Sequence, residues 1–473
     1  MNAFGGIRMD TAHSVHSPPE SVSSAPPRSP GPGAASRASR LGWLDALRGI
    51  AALVVVFDHS SYAFLAELRP QVMAHLNTSR YGILVFFLVS GYIIPASLER
   101  RGCVRTFWIG RVFRIYPLWV AVVVAVLVGG LLGVAHIRDF GEQSVATVAL
   151  AHVSMLQELL GTPNLLLVLW TLSYEMAFYL LVVALFTVRL NRGSTTVAAL
   201  LAVLAAVSVA AGLTLPASAL SDRVGTGPLV AVASVAMLVA ICCASARPRP
   251  LRLFGALLGG VLALVLVLFN GTVPMWEGLV ILAVMFLGTA IYRAEHGQSD
   301  WRVVAGAAAV VLGCGVGSAY AFGDGTQFTR RGWIAGFLLA MLTFGIGLAL
   351  RHRRIPGWLT GLGTISYSVY LVHPALLAVT DGTIGRWQQN NPVLEVAFYA
   401  VLIPLCVLTY RYVESPGQAW GRRLARRFRP PAGTRSAARG RAPRGRCREC
   451  GVVGACRAAH CTDDRPTTGA DRA

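Results

Sequence analysis

The sequence of 473 residues contains no lysine, and charge of any kind is scarce. Only 14% of its residues are charged, where a soluble domain averages about 25%. Hydrophobic residues make up 55%, and the mean hydropathy is +0.58. Such a composition excludes a disordered chain. It also leaves too much apolar side chain to hide in one soluble core. An N-terminal apolar stretch is missing too. Residues 1–42, rich in Ser, Pro, Ala and Gly (PPRSPGPGAASRASR), therefore read as a disordered cytoplasmic tail and not as a cleaved signal peptide. What remains is a polytopic membrane protein.

With lysine absent, all 42 cations are arginines, set against 22 acids for a net charge of +20. They lie in short connections and tails between apolar runs, and no nucleic-acid motif accompanies them. That arrangement follows the positive-inside rule, and nucleic acid is set aside as a partner.

From residue 43 onward, apolar runs long enough to cross about 30 Å of hydrocarbon recur. Candidate spans are 44–64, 81–98, 115–135, 165–188, 196–216, 228–245, 252–270, 275–292, 302–321, 332–350, 362–380 and 393–412. A gap of only four residues follows 252–270, and 302–321 is Gly-rich, so the expectation is an all-α transmembrane bundle of about 10–12 spans. The stretch 145–160 is shorter and more polar, and is expected along the interface. Counting arginines in alternate connections gives 33 on the side of the N-terminus and 7 on the other, which predicts both termini in the cytoplasm. Residues 43–416 form the expected membrane domain, and 417–473 an Arg-, Ala- and Pro-rich disordered tail suited to anionic headgroups. No internal repeat of the transporter kind is visible.

Of nine cysteines, Cys103, Cys242, Cys243, Cys314 and Cys406 lie in or beside spans and read as small apolar residues. Cys447, Cys450, Cys456, His460 and Cys461 have a spacing that can hold zinc. Nothing around them in the sequence could pack about a metal, and no metal site is expected.

Ionisable groups at membrane depth cost about 2.5–3.5 kcal/mol each on insertion scales, so each needs a reason. The first span, LDALRGIAALVVVFDHSSYAF, carries Asp45, Arg48, Asp58 and His59. Arg48 and His59 are eleven residues apart and share a helix face, roughly 16 Å along the axis. Glu175 falls near the middle of the fourth span, where it serves either as a structural pairing group or as a catalytic one. Arg111 and Arg114, three apart in the connection 99–114, are helix neighbours. Two adjacent guanidinium forks suit a phosphate or pyrophosphate as well as a topology anchor. Late in the chain, Ser366, Tyr367, Tyr370 and His373 bring hydroxyls and an imidazole into a span, with Ser366 and His373 on one face.

The first span, with Arg48, ten intervening residues and His59, resembles the opening signature of the acyltransferase-3 family of integral membrane acyltransferases. The family's further pieces follow in order: Phe86-Phe87-Leu-Val-Ser90-Gly91-Tyr92, Arg111-Val-Phe-Arg114-Ile-Tyr-Pro117, and Trp170 to Tyr179 around Glu175. Then come Phe286-Leu-Gly288, Ser366 to Pro374, and Tyr410 to Pro416, so the resemblance covers roughly 43–416. It implies O-acylation of a sugar, surface polysaccharide or antibiotic scaffold with acyl-coenzyme A as co-substrate and no permanently bound cofactor. It also implies a multi-pass protein of a bacterial plasma membrane. On the same resemblance His59 is the catalytic histidine and Arg48 its partner, and Arg111 and Arg114 contact the coenzyme phosphates. Glu175 joins the catalytic candidates, and Ser90, Tyr367 and His373 are candidate substrate contacts.

The chemistry agrees. Acyl transfer to a hydroxyl needs a base, and an imidazole with a pKa near 6.5 suits neutral pH. Two rivals use the same residues otherwise: a transporter or channel with an Arg/His/Glu ion or proton path, and a scaffold with interhelical hydrogen bonds.

Overall fold

The computed structural model describes residues 32–137, 139–213, 215–325 and 329–428, with side chains from residue 42. The first 31 residues, most of the basic C-terminal tail and the group Cys447, Cys450, Cys456, His460 and Cys461 lie outside the described residues. The chain opens with α1 (Pro32–Phe64), and a short α2 (Leu68–His75) turns it into α3 (Thr78–Arg101). α4 (Val104–Leu131) returns. A connection with α5 (Val145–Ser154) and 3₁₀ turns at Gln157–Leu160 and Leu167–Leu169 leads to α6 (Trp170–Thr187). α7 (Ser194–Ala210), the short α8 (Ala219–Val224), α9 (Thr226–Ala244) and α10 (Arg249–Phe269) follow. Next are α11 (Met275–Glu295), α12 (Trp301–Phe322) and α13 (Arg330–Ala349). The last two crossings are interrupted. α14 (Gly357–Thr364) meets α15 (Ser366–Thr383) at 62°, and α16 (Pro392–Thr409) passes through a π turn, Tyr410–Glu414, into α17 (Ser415–Arg426).

Among the described residues ten helices are long and apolar enough to cross a membrane, or eleven with α14–α15 counted as one bent span. α1, with 33 residues, is a further long helix whose apolar run is broken by charge. Each of the twelve candidate runs thus coincides with a helix, and α10, α11 and α12 are three separate ones. α3, α6 and α11 are buried along most of their length, while the outer helices turn apolar side chains such as Val124, Leu200, Val232, Val261 and Leu342 outward. Outward apolar belts over hydrogen-bonded helices are what a lipid solvent requires. The fold is a polytopic helical bundle.

Glycines set the closest crossings. A Cβ on Gly91 would collide with the Met285 carbonyl, and one on Gly288 with the Leu88 carbonyl, so α3 and α11 meet backbone to backbone. Thr289 seals the contact by donating to the Gly91 carbonyl at 2.8 Å. Gly91→Ala is expected to destabilise the protein by about 1–3 kcal/mol, the usual penalty of overpacking. A melting temperature unchanged by the substitution would show that the helices are not held so close. In the same way Gly363 lies on the Asp45 backbone, and Gly49 on Leu362 and Gly363. This presses the α14–α15 break against the first half of α1.

Two segments differ from the sequence expectation. The stretch 145–160 does not simply lie along the interface. α5 exposes Leu150 and Val153, but Gln157, Glu158, Leu159 and Leu160 are all buried in the bundle. Gln157 donates to the Leu169 carbonyl (2.8 Å), and Asn164 donates to Glu158 (2.8 Å), whose carboxyl burial pushes up to about 7. The second difference is at the C-terminus, where helix continues past residue 416 to Arg426. Gly417 and Gly421 of α17 rest on Pro117 and Phe113 of α4, while Arg422, Arg423, Arg426 and Arg427 stay exposed. Arginine-rich composition hid a helix with one packing face.

Candidate active site

Five helices, α1, α3, α4, α6 and α15, enclose a cavity of about 790 Å³, counted with its open mouth. Arg48, Ser90, Arg111, Arg114, Glu175 and Tyr367 all line it, so six of the eight catalytic, coenzyme-contact and substrate-contact candidates come together, and Ser366 lines it too. Ile83, Phe86, Phe87, Ile93 and Leu172 form an apolar wall, and Thr171 and Tyr370 stand at the same side as Phe86.

The cation content of this cavity is unusual. Arg111 is 7% exposed, lies over the Phe107 and Tyr179 rings (5.2 and 5.3 Å) and donates to the Ser97 hydroxyl at 3.0 Å. Arg48 has Arg114, Asp45, Glu414 and Glu175 as charged neighbours. Yet among the described residues none of Arg48, Arg111 and Arg114 has a carboxylate oxygen within 4.0 Å. Two of these acids are engaged otherwise. Glu175 accepts from the Tyr179 hydroxyl (2.5 Å), and Glu414 accepts from Ser368 (2.9 Å) and Gln418 (3.0 Å). Guanidinium forks left without carboxylate partners in a recess are geared to an anion such as a phosphate.

His59 and His373 do not line the cavity; they form a pair just beyond it. His59 Nδ1 and His373 Nε2 are 3.1 Å apart, with the rings at 25° and 5.2 Å between centroids. Tyr370, which does line the cavity, is one turn before His373 on α15, with its ring 6.1 Å from the imidazole. Its hydroxyl meets Thr171 Oγ1 at 2.6 Å and the Val168 carbonyl at 3.1 Å. His373 is fully buried, and its Nδ1 lies 2.9 Å from the Val369 carbonyl.

That last contact decides the tautomers of a neutral pair. A carbonyl only accepts, so His373 Nδ1 carries the proton and its Nε2 is a bare acceptor. His59 Nδ1 must then donate to it, leaving the lone pair of His59 on Nε2. Asp58 Oδ2 is 4.0 Å from that nitrogen, and Asp58 is fixed by Thr78 Oγ1 (2.7 Å) and faces Arg69 (3.8 Å). In this arrangement Nε2 is the acceptor nitrogen of the His59 ring, and it faces the Asp58 carboxylate at 4.0 Å.

The residues on α1 are therefore divided between two places, Arg48 in the arginine group and His59 with His373. Sequence reasoning saw the two on one face but had no signal for the imidazole pair, whose members are 314 residues apart. The sequence marks Tyr370 as one hydroxyl among several in its span and Phe86 as part of a motif, and gives no signal for Thr171. Among the described residues no group of His, Cys, Asp or Glu could hold a metal ion.

Acyltransferase MdmB of Streptomyces mycarofaciens is 31% identical over 156 residues, covering 30% of this chain and 38% of that protein. Nodulation protein 10 of Rhizobium leguminosarum bv. viciae is 30% identical over 152 residues, 29% of this chain and 41% of that protein. The chain thus spans less than half the length of either relative. No solved structure matches it. The acyltransferase-3 sequence profile, described as an acyltransferase domain, matches residues 41–222 and 227–411, which include every helix around the cavity and both histidines, and the chain belongs to that family of acyltransferases.

Proposed function

We propose that the protein takes an acyl group, acetyl in the first instance, from acyl-coenzyme A and passes it to a hydroxyl of a carbohydrate or of a glycosylated or macrolide-type acceptor. One observation carries the reading: three guanidinium groups without ion-pair partners among the described residues share one cavity, and that cavity ends beside a paired imidazole. The arginines receive the phosphates of the donor. Its thioester arm follows the apolar wall toward Tyr370, and His59 Nε2 takes the acceptor proton. The acceptor oxygen then bonds to the thioester carbonyl carbon, the carbon–sulfur bond breaks, and the departing thiolate takes the proton from His59. The products are an ester and free coenzyme, with a neutral imidazole restored. A guanidinium in a low-dielectric recess stabilises the oxyanion.

Glu175, held by Tyr179 among the arginines, balances their charge in this scheme. The arginine-rich end of the bundle faces the cytoplasm of a bacterial cell, where acyl-coenzyme A is made, and the acceptor class rests on the family resemblance. The test is transfer of labelled acetyl from acetyl-coenzyme A by the purified protein in liposomes. Loss of a charge-assisted hydrogen bond costs about 1.5–3 kcal/mol, or roughly 10- to 100-fold in affinity. Arg111→Ala with Arg114→Ala should therefore raise the donor KM at least that far and change kcat little. An unchanged KM removes the two from donor binding. Solute flux without thioester consumption would replace the enzyme with a transporter.

A further inference from the structure

The α14–α15 break leaves a feature that acyl transfer at the histidines does not use. α15 begins at Ser366, and its 18 residues give it a full dipole with the positive end at the cavity. The first amides of a helix have no acceptor within it. The crossing of Gly49 and Gly363 holds this end beside the α1 turn that bears Arg48. Ser366 itself lines the cavity, is 0% exposed, and its Oγ has no hydrogen-bond partner among the described residues. A buried hydroxyl without a partner is unfavourable unless something else satisfies it. Here the charged side chains that face the same space are three cations, Arg48, Arg111 and Arg114, and one acid, Glu175.

We infer that the N-terminus of α15, with Ser366 Oγ and Arg48, is a second anion seat that binds the diphosphate of a nucleotide-type coenzyme alongside Arg111 and Arg114. The inference deepens the donor reading and rests on it for the identity of the ligand. A diphosphate carries two phosphoryl groups about one linking oxygen, and the cavity offers two donor sets, Arg111 and Arg114 on α4 and Arg48 with Ser366 on α1 and α15. Ser366 donates its hydroxyl proton to a phosphoryl oxygen, the helix amides add to the field, and Arg48 supplies the counter-charge. Arg48 thereby acts on the donor and not on His59.

The test compares wild type, Ser366→Ala and Ser366→Thr as full chains in nanodiscs, with three probes. These are 3′-dephospho-coenzyme A, which retains the diphosphate, pantetheine, which has no phosphate, and inorganic pyrophosphate. Ser366→Ala should weaken dephospho-coenzyme A and pyrophosphate about tenfold, as expected for one hydrogen bond to a charged group, and leave pantetheine unchanged. Ser366→Thr, which keeps the hydroxyl, should recover most of the loss. Equal weakening of pantetheine, or no weakening of either phosphate probe, overturns the seat. Failure of wild type to bind the coenzyme while pyrophosphate still binds through Ser366 would retain the seat and remove the donor reading.

Discussion

His59→Asn should abolish measurable acyl transfer, a fall in kcat of roughly 10²–10⁴ from loss of a positioned base, while donor binding stays as in wild type. Asparagine is the informative replacement. Its side-chain NH₂ lies near the position of imidazole Nδ1 and can still donate to His373 Nε2, so the 3.1 Å contact between α1 and α15 survives. Alanine would also remove the base but would leave His373 Nε2 buried and unsatisfied, at about 1–3 kcal/mol, confusing folding with chemistry. The donor KM is the second readout. Arg48, Arg111 and Arg114 lie in the cavity and not at the histidine pair, so their hold on the donor should be untouched. Asparagine at 59 with substantial transfer would remove the imidazole from the reaction. A large rise in donor KM would place His59 at the donor and not at the acceptor proton.

The parts of this site that were legible in the sequence are those whose presence in an apolar run is expensive. Arg48, His59 and Glu175 stand out because a charge in lipid demands a reason, and Arg111 and Arg114 because their spacing makes them neighbours on any helix. The helices were legible for a similar reason: length and hydropathy suffice where every backbone group must bond within its own segment. What the sequence does not carry is contact between distant segments. The pairing of His59 with His373 depends on α15 lying against α1, which in turn depends on Gly49 and Gly363 letting α14 approach the α1 backbone. Neither glycine announces that role locally. Arg80 is a parallel case. It pairs with the buried Glu277 across 197 residues at 2.5 Å and lies over Trp170 at 4.9 Å, yet in the sequence it is one arginine in a short connection. The α15 start was hidden differently: an apolar run reads as one span, and a break of a single residue at Ile365 leaves hydropathy unchanged.

His373→Leu should lower kcat by roughly 10²–10³, nearly as much as loss of the base itself, although His373 never touches the reacting atoms. It is a positioning residue. With His373 Nε2 gone, nothing obliges His59 Nδ1 to keep its proton, and the ring is free to adopt the tautomer that carries hydrogen on Nε2, where the acceptor proton has to go. The donor KM should not move. His373→Gln separates this role from mere packing, because the glutamine amide oxygen can reach the place of imidazole Nε2 and accept from His59 Nδ1. It should therefore restore much of kcat, even though it gives up the 2.9 Å contact to the Val369 carbonyl. Nitrogen-15 spectra of histidine-labelled protein provide the direct check. His59 Nε2 should be unprotonated in wild type and in His373→Gln, and protonated in nearly all His373→Leu molecules. Equal loss in the leucine and glutamine variants with an unaltered His59 spectrum would reduce His373 to a packing residue, and the base at His59 would then need another source for its tautomer.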